Sequence, residues 1–305
     1  MAISEQWANL LEPGLRQLFF VAFSELADAS RIPMLFNVET SSKASEHYLG
    51  VGGLGNWEEY KGAIEYDDPE EGHKTTLTHV QYARGFVVER SLVDDDQYNL
   101  ITPRPKQLGM GAARTREEHA ASVFNNAFSG SYLGGDSKAL CADDHPRSPS
   151  NTTAHDNKGT TALSYDAVVS TRRLMRETKD DRGKLIAVNP NLILIPPELE
   201  ETANAIVNTM QSGQPQKPDT ADYHDSLPGR QGLQYLVWDY LTDANDWFMI
   251  DTALARLHLL WLDRVPVEFS MDPASNFNLR AKYRGYMRYS YGWSDWRFVY
   301  GHAVT

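Results

Sequence analysis

The sequence predicts an α+β chain, and three stretches carry that reading. Residues 77–90 alternate as an extended segment and feed a helical pattern over roughly 102–128. Residues 164–210 read as helix, strand and helix. The closing stretch, Val267 to Val304, returns to strands rich in Tyr and Trp.

The first stretch is the spine. Val80, Tyr82, Phe86 and Val88 share one face of the extended part, the period of two of a half-buried strand, and Arg84 interrupts it. An acidic bend, Asp94-Asp95-Asp96, follows. Thr102 is the expected N-cap of the helix, with Pro103 and Pro105 in the first turn, where no backbone N–H is needed. Leu108, Ala112, His119, Val123 and Ala127 recur at helical spacing up to the break at Ser129-Gly130. About 26 residues at 1.5 Å each make a rod of roughly 40 Å, longer than a typical globular helix. The pattern is that of a structural spine, not of a catalytic elbow.

Composition sets the outer limits. A chain of 305 residues can bury a real core in one or two domains. With 41% hydrophobic and 23% charged residues, its balance is that of a soluble protein. The net charge of −12 argues against gripping nucleic acid through its phosphates, though not against enclosing it. Cys141 is the one cysteine, so no internal disulfide forms, which fits a reducing cytosol. No run of 18 apolar residues is present and no membrane span is expected. The start, Met1-Ala2-Ile3-Ser4-Glu5, lacks the plan of a signal peptide.

Residues 1–48 read as an arm. Leu10, Leu11, Leu15, Leu18 and Phe19 give a short amphipathic helix interrupted at Pro13-Gly14, and Phe36 lies in a less regular tail. This apolar surface must pack on the body or on a neighbouring subunit. Residues 49–76 form an acidic hairpin: Trp57 precedes Glu58, Glu59, Glu65, Asp67, Asp68, Glu70 and Glu71. Its expected strands are Tyr60–Tyr66 and Gly72 onward, joined by Asp67-Asp68-Pro69-Glu70. The glycines at 50, 52, 53 and 55 lead to carboxylates, not to a Lys and a helix, so a phosphate loop is disfavoured. A hairpin of this size has too little core to stand alone and is expected to lie on something else.

Beyond the spine, residues 129–160 are loop-rich. Asp143-Asp144-His145, with His155 and Asp156 nearby, invites a metal reading, but adjacent residues do not easily converge on one ion. A polar loop is the preferred reading. Ser164 then caps a helix carrying Tyr165, Val168, Val169 and Met175, ended by Asp180-Asp181-Arg182-Gly183. Leu192–Ile195 is a buried strand stopped by Pro196-Pro197, and Pro197 opens a helix with Leu199, Ala203, Ile206 and Met210 inward. Residues 211–232 read as an exposed loop; 233–241, 246–250 and 257–262 read as core strands. His258 reads as a hydrogen-bonded core histidine in preference to a catalytic one. In the tail, Arg280, Lys282, Arg284, Arg288 and Arg297 interleave with Tyr283, Tyr286, Tyr289 and Tyr291. That could be a single-stranded nucleic-acid platform, but strand aromatics with outward arginines suit an acidic chain better.

In this order the elements resemble the major capsid proteins of tailed phages, whose architecture is the Hong Kong phage (Johnson) fold. Within them the chain is similar to the Mu-like major head subunit family. Leu77 to Asp96 resembles the strand and acidic bend before the spine helix. Leu192-Ile193-Leu194-Ile195-Pro196-Pro197-Glu198-Leu199-Glu200 resembles the strand, paired prolines and Glu-rich helix start of the axial domain. Tyr283 to Ala303, with Gly285, Gly292 and Trp296-Arg297, resembles the closing strands.

The resemblance implies an arm at 1–48, an extended loop at 49–76 lying on an adjacent subunit, and a peripheral domain at 77–140 and 262–305. It implies an axial domain at 141–261 that meets its copies in hexamers and pentamers of a virion shell around double-stranded DNA. The subunit would be made in the host cytoplasm. No long helical scaffolding segment precedes the body, so a separate scaffolding protein is implied, with a portal and, as an option, a decoration protein. No enzyme activity, cofactor, metal or sequence-specific DNA binding is expected. The hairpin carboxylates Glu58, Glu59, Glu65, Asp67 and Asp68, beside Trp57, become candidates for inter-subunit contact with Arg280, Arg284 and Arg288. Lys61 is a conceivable cross-link donor, but no Asn acceptor stands out and no cross-link is expected. The bend at Asp94–Asp96 becomes a candidate hinge. Two other classes compete: an encapsulin-type nanocompartment shell, and a metal-dependent hydrolase using Asp143, Asp144 and His145.

Overall fold

The computed structural model describes residues 6–51, 71–95, 98–212, 232–272 and 279–305, with residues 59, 60, 62 and 66. Helix α1 (Gln6–Ala27) runs unbroken through Pro13, where the sequence suggests an interruption. An interior proline costs about 3 kcal/mol. Burial of Leu15, Phe19 and Ala22 on that helix offsets it. The tail after it is regular too. Helix α2 (Ile32–Leu35) leads into strand β1 (Asn37–Thr40), and Phe36 is buried edge-on to Trp261 at 6.0 Å. The apolar face of residues 15–36 is thus buried against the chain's own body.

The hairpin differs from expectation. Strand β2 (Ser45–Val51) pairs antiparallel with β3 (Glu71–Thr78), from Ser45↔Thr78 to Val51↔Glu71. The expected strand at Tyr60–Tyr66 is not the partner; residues 59, 60, 62 and 66 are not in a strand. The pairing strand lies earlier in the chain, so the expected boundary at 48/49 cuts through β2. The Thr-rich β3 offers this register a side-chain bond from Thr76 Oγ1 to His47 Nδ1, at 2.9 Å. His79 then separates β3 from β4 (Val80–Glu89). Of the four residues expected inward on β4, Tyr82, Phe86 and Val88 are at least half-buried and Val80 is exposed.

Short helices α3 (Arg90–Asp94) and α4 (Tyr98–Ile101) precede the spine, α5 (Pro103–Asn125), and α4 runs into it through Thr102. Thr102 therefore has helical dihedrals and makes no cap, contrary to expectation. Strand β5 (His145–Pro146) pairs with β6 (Ala154–His155), and β7 (Lys158–Gly159) follows. Ser164 caps helix α6 (Tyr165–Arg176) as expected, its hydroxyl accepting from Ala167 N at 3.2 Å. Strand β8 (Leu192–Ile195) is wholly buried, and a 3-10 turn at Pro197–Leu199 opens helix α7 (Glu200–Ser212), with Ala203, Ile206 and Val207 inward. The expected loop at 211–232 falls almost wholly outside the described residues.

Strands β9 (Gln234–Val237) and β10 (Trp247–Ile250) precede helix α8 (Thr252–His258), which sequence reading gives partly to a strand. Asp251 decides the matter locally. Its carboxylate caps α8 through Ala253 N (2.9 Å) and Leu254 N (3.2 Å), so the strand β11 (Leu259–Asp272) starts only at Leu259. Strands β12 (Arg280–Trp293) and β13 (Val299–His302) end the fold.

Two sheets result, ordered β1-β11-β12-β4 and β7-β13-β10-β8-β9. The last strand, β13, thus joins the sheet of residues 158–250, not the sheet of β11 and β12 where the other closing strands lie. Helix α5 serves both sheets, which explains its length. Its N-terminal half lies between α1 and the first sheet. There Gly109 is obligatory, because a Cβ on it would sit 2.3 Å from the Phe19 carbonyl oxygen. Midway, Arg116 holds Asp263 through two bonds of 2.8 and 2.9 Å, with its guanidinium over Trp261 and Tyr289. At its end, Phe124 and Phe128 reach the second sheet, 5.3 and 5.7 Å from Phe248.

Candidate assembly surfaces

Strand β12 alternates strictly in role. Ala281, Tyr283, Met287 and Tyr289 face the helices and are buried. The even positions Arg280, Lys282, Arg284, Tyr286 and Arg288 project from the opposite face of the sheet. The tail arginines singled out from sequence therefore form one row.

Two members of that row are already paired. Arg280 meets Glu89 at 2.8 Å across the β12–β4 register. Arg284 approaches Asp272 at 3.4 Å and donates from Nε to Ser270 Oγ at 3.0 Å. Both pairs are about half exposed and so weak. Arg288 has no ion pair among the described residues. Of the hairpin candidates, Glu59 is exposed, while Trp57, Glu58, Glu65, Asp67 and Asp68 lie outside the described residues, as does Lys61.

The other end of the same sheet face is covered by the hairpin root. Thr75 abuts Gly135, where a Cβ would lie 2.6 Å from its Oγ1, and Leu77 abuts Gly292, where a Cβ would lie 2.7 Å from its Cδ2. His79 is 4% exposed, and its Nδ1 meets Ser290 Oγ at 3.0 Å. Burial, and then the positive charge of Arg288, hold its pKa below the ordinary histidine value; Glu46 opposes this and Arg264 adds to it.

Strand β4 is an edge of its sheet. Between it and α5 runs a groove of roughly 780 Å³, with Tyr82, Phe86 and Leu108 in its lining beside Arg84, Arg104 and Arg114. Arg104 occupies one edge acceptor by donating to the Val87 carbonyl. Such an edge offers backbone hydrogen bonds to a further strand.

Three residues of the metal reading, His145, Asp144 and His155, have structural partners. His145 is fully buried, bonded through Nδ1 to Asp136 Oδ2 at 2.6 Å and stacked on Trp296 at 4.2 Å. Asp144 bonds Lys138, which lowers its pKa, and His155 stacks on Trp296 from 5.0 Å. Among the described residues no group of three His, Cys, Asp or Glu side chains could hold a metal ion. His258 is a hydrogen-bonded histidine, with Nδ1 3.1 Å from Ser294 Oγ.

Sequence reasoning missed Glu117. It is buried on α5 and accepts from Ser30 Oγ, from Trp238 Nε1 at 3.1 Å and from Arg31 N at 3.4 Å. One carboxylate thereby ties the arm, the spine and the second sheet. The available signal was a Glu in phase with Gly109, Ala113 and Ala120 on the helix's buried stripe.

A family model described as phage capsid protein matches residues 73–301. No curated protein is similar to the chain in sequence. Among solved structures, the capsid of cyanophage P-SCSP1u is 12% identical, with TM-score 0.56, over 90% of this chain and 88% of its own. The capsid of bacteriophage JBD30, decorated with minor capsid protein trimers, is 16% identical, with TM-score 0.53, over 70% of this chain and 91% of its own. The virus-like particle from Pyrococcus furiosus is 9% identical, with TM-score 0.56, over 95% of this chain and 98% of its own.

Proposed function

The chain belongs to the phage capsid protein family and is a shell subunit; from that premise we propose that it builds the icosahedral head of a tailed phage from hexamers and pentamers around double-stranded DNA. The observation that carries the reading is the family match across the spine helix and both sheets apart from β1, residues 73–301. Placement beside the Mu-like head subunits rests on the three stretches quoted above. The sheet of β11 and β12, with α5, corresponds in this reading to the peripheral domain. The sheet of β8, β10 and β13 then corresponds to the axial domain, with β13 reassigned to it.

The subunit has a structural role without catalysis in this reading. A wall of net charge −12 repels the packed DNA and so leaves it free to enter and leave. A separate scaffolding protein and a portal complete assembly. The acidic hairpin lies on an adjacent copy, with Glu58, Glu59, Glu65, Asp67 or Asp68 near the row of Arg280, Arg284 and Arg288. Reversing the charge at Glu65 and Asp68 should lower particle yield and salt tolerance; unchanged yield and tolerance would remove this contact.

Electron microscopy of the overexpressed protein, with and without a co-expressed scaffold, tests the main reading. Closed shells are expected, and a subunit that stays monomeric under both conditions would refute it. A nanocompartment shell is the second reading, favoured by the fold shared with the Pyrococcus furiosus particle. Particles filled with protein instead of DNA would select it. A denaturing gel should show single subunits and no covalent ladder.

A further inference from the structure

We propose that His79, Arg264 and Arg288 form an oxyanion socket at the root of the β2–β3 hairpin, and that it takes a carboxylate from the acidic segment of a second copy. The inference rests on the shell reading for its occupant, but not for the socket itself.

The three residues come from three elements. Arg288 lies on β12 opposite Val265 and Gln81, and the register of β11 shifts between Asp263 and Val265, placing Arg264 at the irregularity. A bulge of this kind re-aims a side chain. His79 immediately precedes Val80, the partner of Tyr289, and both arginines act on its ring electrostatically.

The donors outnumber the acceptors. The Nε atoms of Arg264 and Arg288 and the Nε2 of His79 are each buried without a hydrogen-bond partner. The two arginine Nε atoms are donors whatever their surroundings, and Nε2 of His79 joins them in the tautomer in which Ser290 Oγ donates to Nδ1, and in the protonated ring. Buried donors without acceptors are costly, and an oxyanion would satisfy several at once. The nearby carboxylate is already committed: Glu46 accepts from Ser41 Oγ at 2.7 Å and from Lys43 Nζ at 2.9 Å. Neither arginine has an ion pair among the described residues, whereas Arg280 and Arg284 do.

Charge complementarity favours a second copy as occupant. Seven carboxylates lie between Glu58 and Glu71, and Glu59 and Glu71 are exposed. A chain of net charge −12 is a poor grip for a nucleic-acid phosphate.

Two measurements test this. The first uses purified subunits and sulfate as the oxyanion probe, against chloride at matched ionic strength. Sulfate should raise the thermal midpoint by about 2 °C beyond its general effect. That excess should be larger at pH 5.5 than at pH 8, because protonated His79 adds a charge, and it should vanish in Arg264→Gln and Arg288→Gln but persist in Arg16→Gln. An equal sulfate effect in all variants overturns the socket while leaving the shell reading intact.

The second uses particles mixed from two subunits that each carry one added cysteine besides the buried Cys141. One carries Gln81→Cys, exposed beside Arg288; the other carries Glu59→Cys, Glu65→Cys or Asp68→Cys. At least one pairing should give disulfide heterodimers, reduced several-fold when Arg264→Gln and Arg288→Gln are added. Closed particles without heterodimers overturn the occupant. If duplex DNA binding then proved dependent on Arg288, the occupant would be a phosphate instead.

Discussion

Replacing His302 with Gln should make the subunit less sensitive to acid. His302 is buried on β13, its ring stacked on Trp247 at 4.1 Å and 4°. The Thr161 N–H donates to Nδ1 at 3.2 Å, so the proton sits on Nε2 and is donated to Thr171 Oγ1 at 2.8 Å. Every polar atom of the neutral ring is used, and none is left to hold a second proton. Burial accordingly drives its pKa down to about 4. The unfolded chain takes up the proton near pH 6.5. Above that value both states are neutral and the full stability is present. As pH falls from 6.5 to about 4 the unfolded state gains a proton that the folded state refuses, and stability is lost. The gap is worth about 3 kcal/mol. Urea denaturation of unassembled subunits at pH 8, 6, 5 and 4 measures it. His302→Gln should be less stable at pH 8, having lost the stacked ring. It should then lose about 3 kcal/mol less than the parent between pH 7 and 4. Parallel stability curves for the two proteins would refute the assignment, since His79, His119, His155 and His258 also have lowered values and would then carry the acid sensitivity alone.

Two glycines of one helix should respond oppositely to alanine. Gly109→Ala drives a methyl into the Phe19 carbonyl and should cost about 1–3 kcal/mol, whereas Gly111 has nothing within 4 Å of its Cβ position and Gly111→Ala should gain up to about 1 kcal/mol by thermal unfolding. Arg116→Ala leaves the largely buried Asp263 carboxylate without its guanidinium and should cost about 3 kcal/mol. The Arg116→Ala, Asp263→Ala double variant should cost less than the two single changes summed, and strict additivity would mean that the bidentate pair contributes nothing. In assembled particles, Arg288→Glu should lower the salt concentration at which shells fall apart, while Arg280→Glu should change it little; equal effects would mean that the whole row, not the socket, binds the neighbour.

Helices and strands with strong periodicity were readable from sequence: α5, α6, β8 and α7 fall where their apolar spacing and prolines put them. The departures share a physical cause, which is that tertiary contacts override local signals. Pro13 looks like a breaker, yet α1 continues because Leu15, Phe19 and Ala22 are held from outside the helix. Leu257 looks like a strand residue, yet it is 65% exposed on α8, since Asp251 caps a short helix there. The hairpin's first strand was misplaced because the Tyr60–Tyr66 stretch has better strand propensity than Ser45–Val51, while pairing is decided by what Glu71–Thr78 faces. The arginine row was legible from its two-residue period. Its in-chain carboxylates, Glu89 and Asp272, come from other strands, β4 and β11, and no local pattern joins them.

Those in-chain pairs change what assembly can gain from the row. An exposed ion pair is worth about 0–1 kcal/mol. If a neighbour's carboxylate replaces Glu89 at Arg280, one such pair is exchanged for another and the net gain falls toward zero. Displaced Glu89 is left in water, where it costs little. The socket is different, because Arg264, Arg288 and His79 carry unpartnered buried nitrogens before any neighbour arrives. Filling it removes a standing penalty instead of swapping equivalent contacts. Half-burial also shields it from salt better than the exposed end of the row, where interactions are screened within about 10 Å at 0.1 M. A shell repeats each contact in every copy, so a term near zero stays near zero however often it recurs, whereas a modest real one accumulates. The binding strength of this face therefore concentrates at its half-buried end, next to the hairpin root, and the conspicuous exposed arginines Arg280 and Arg284 serve mainly to set the sign of the field that an acidic neighbour meets.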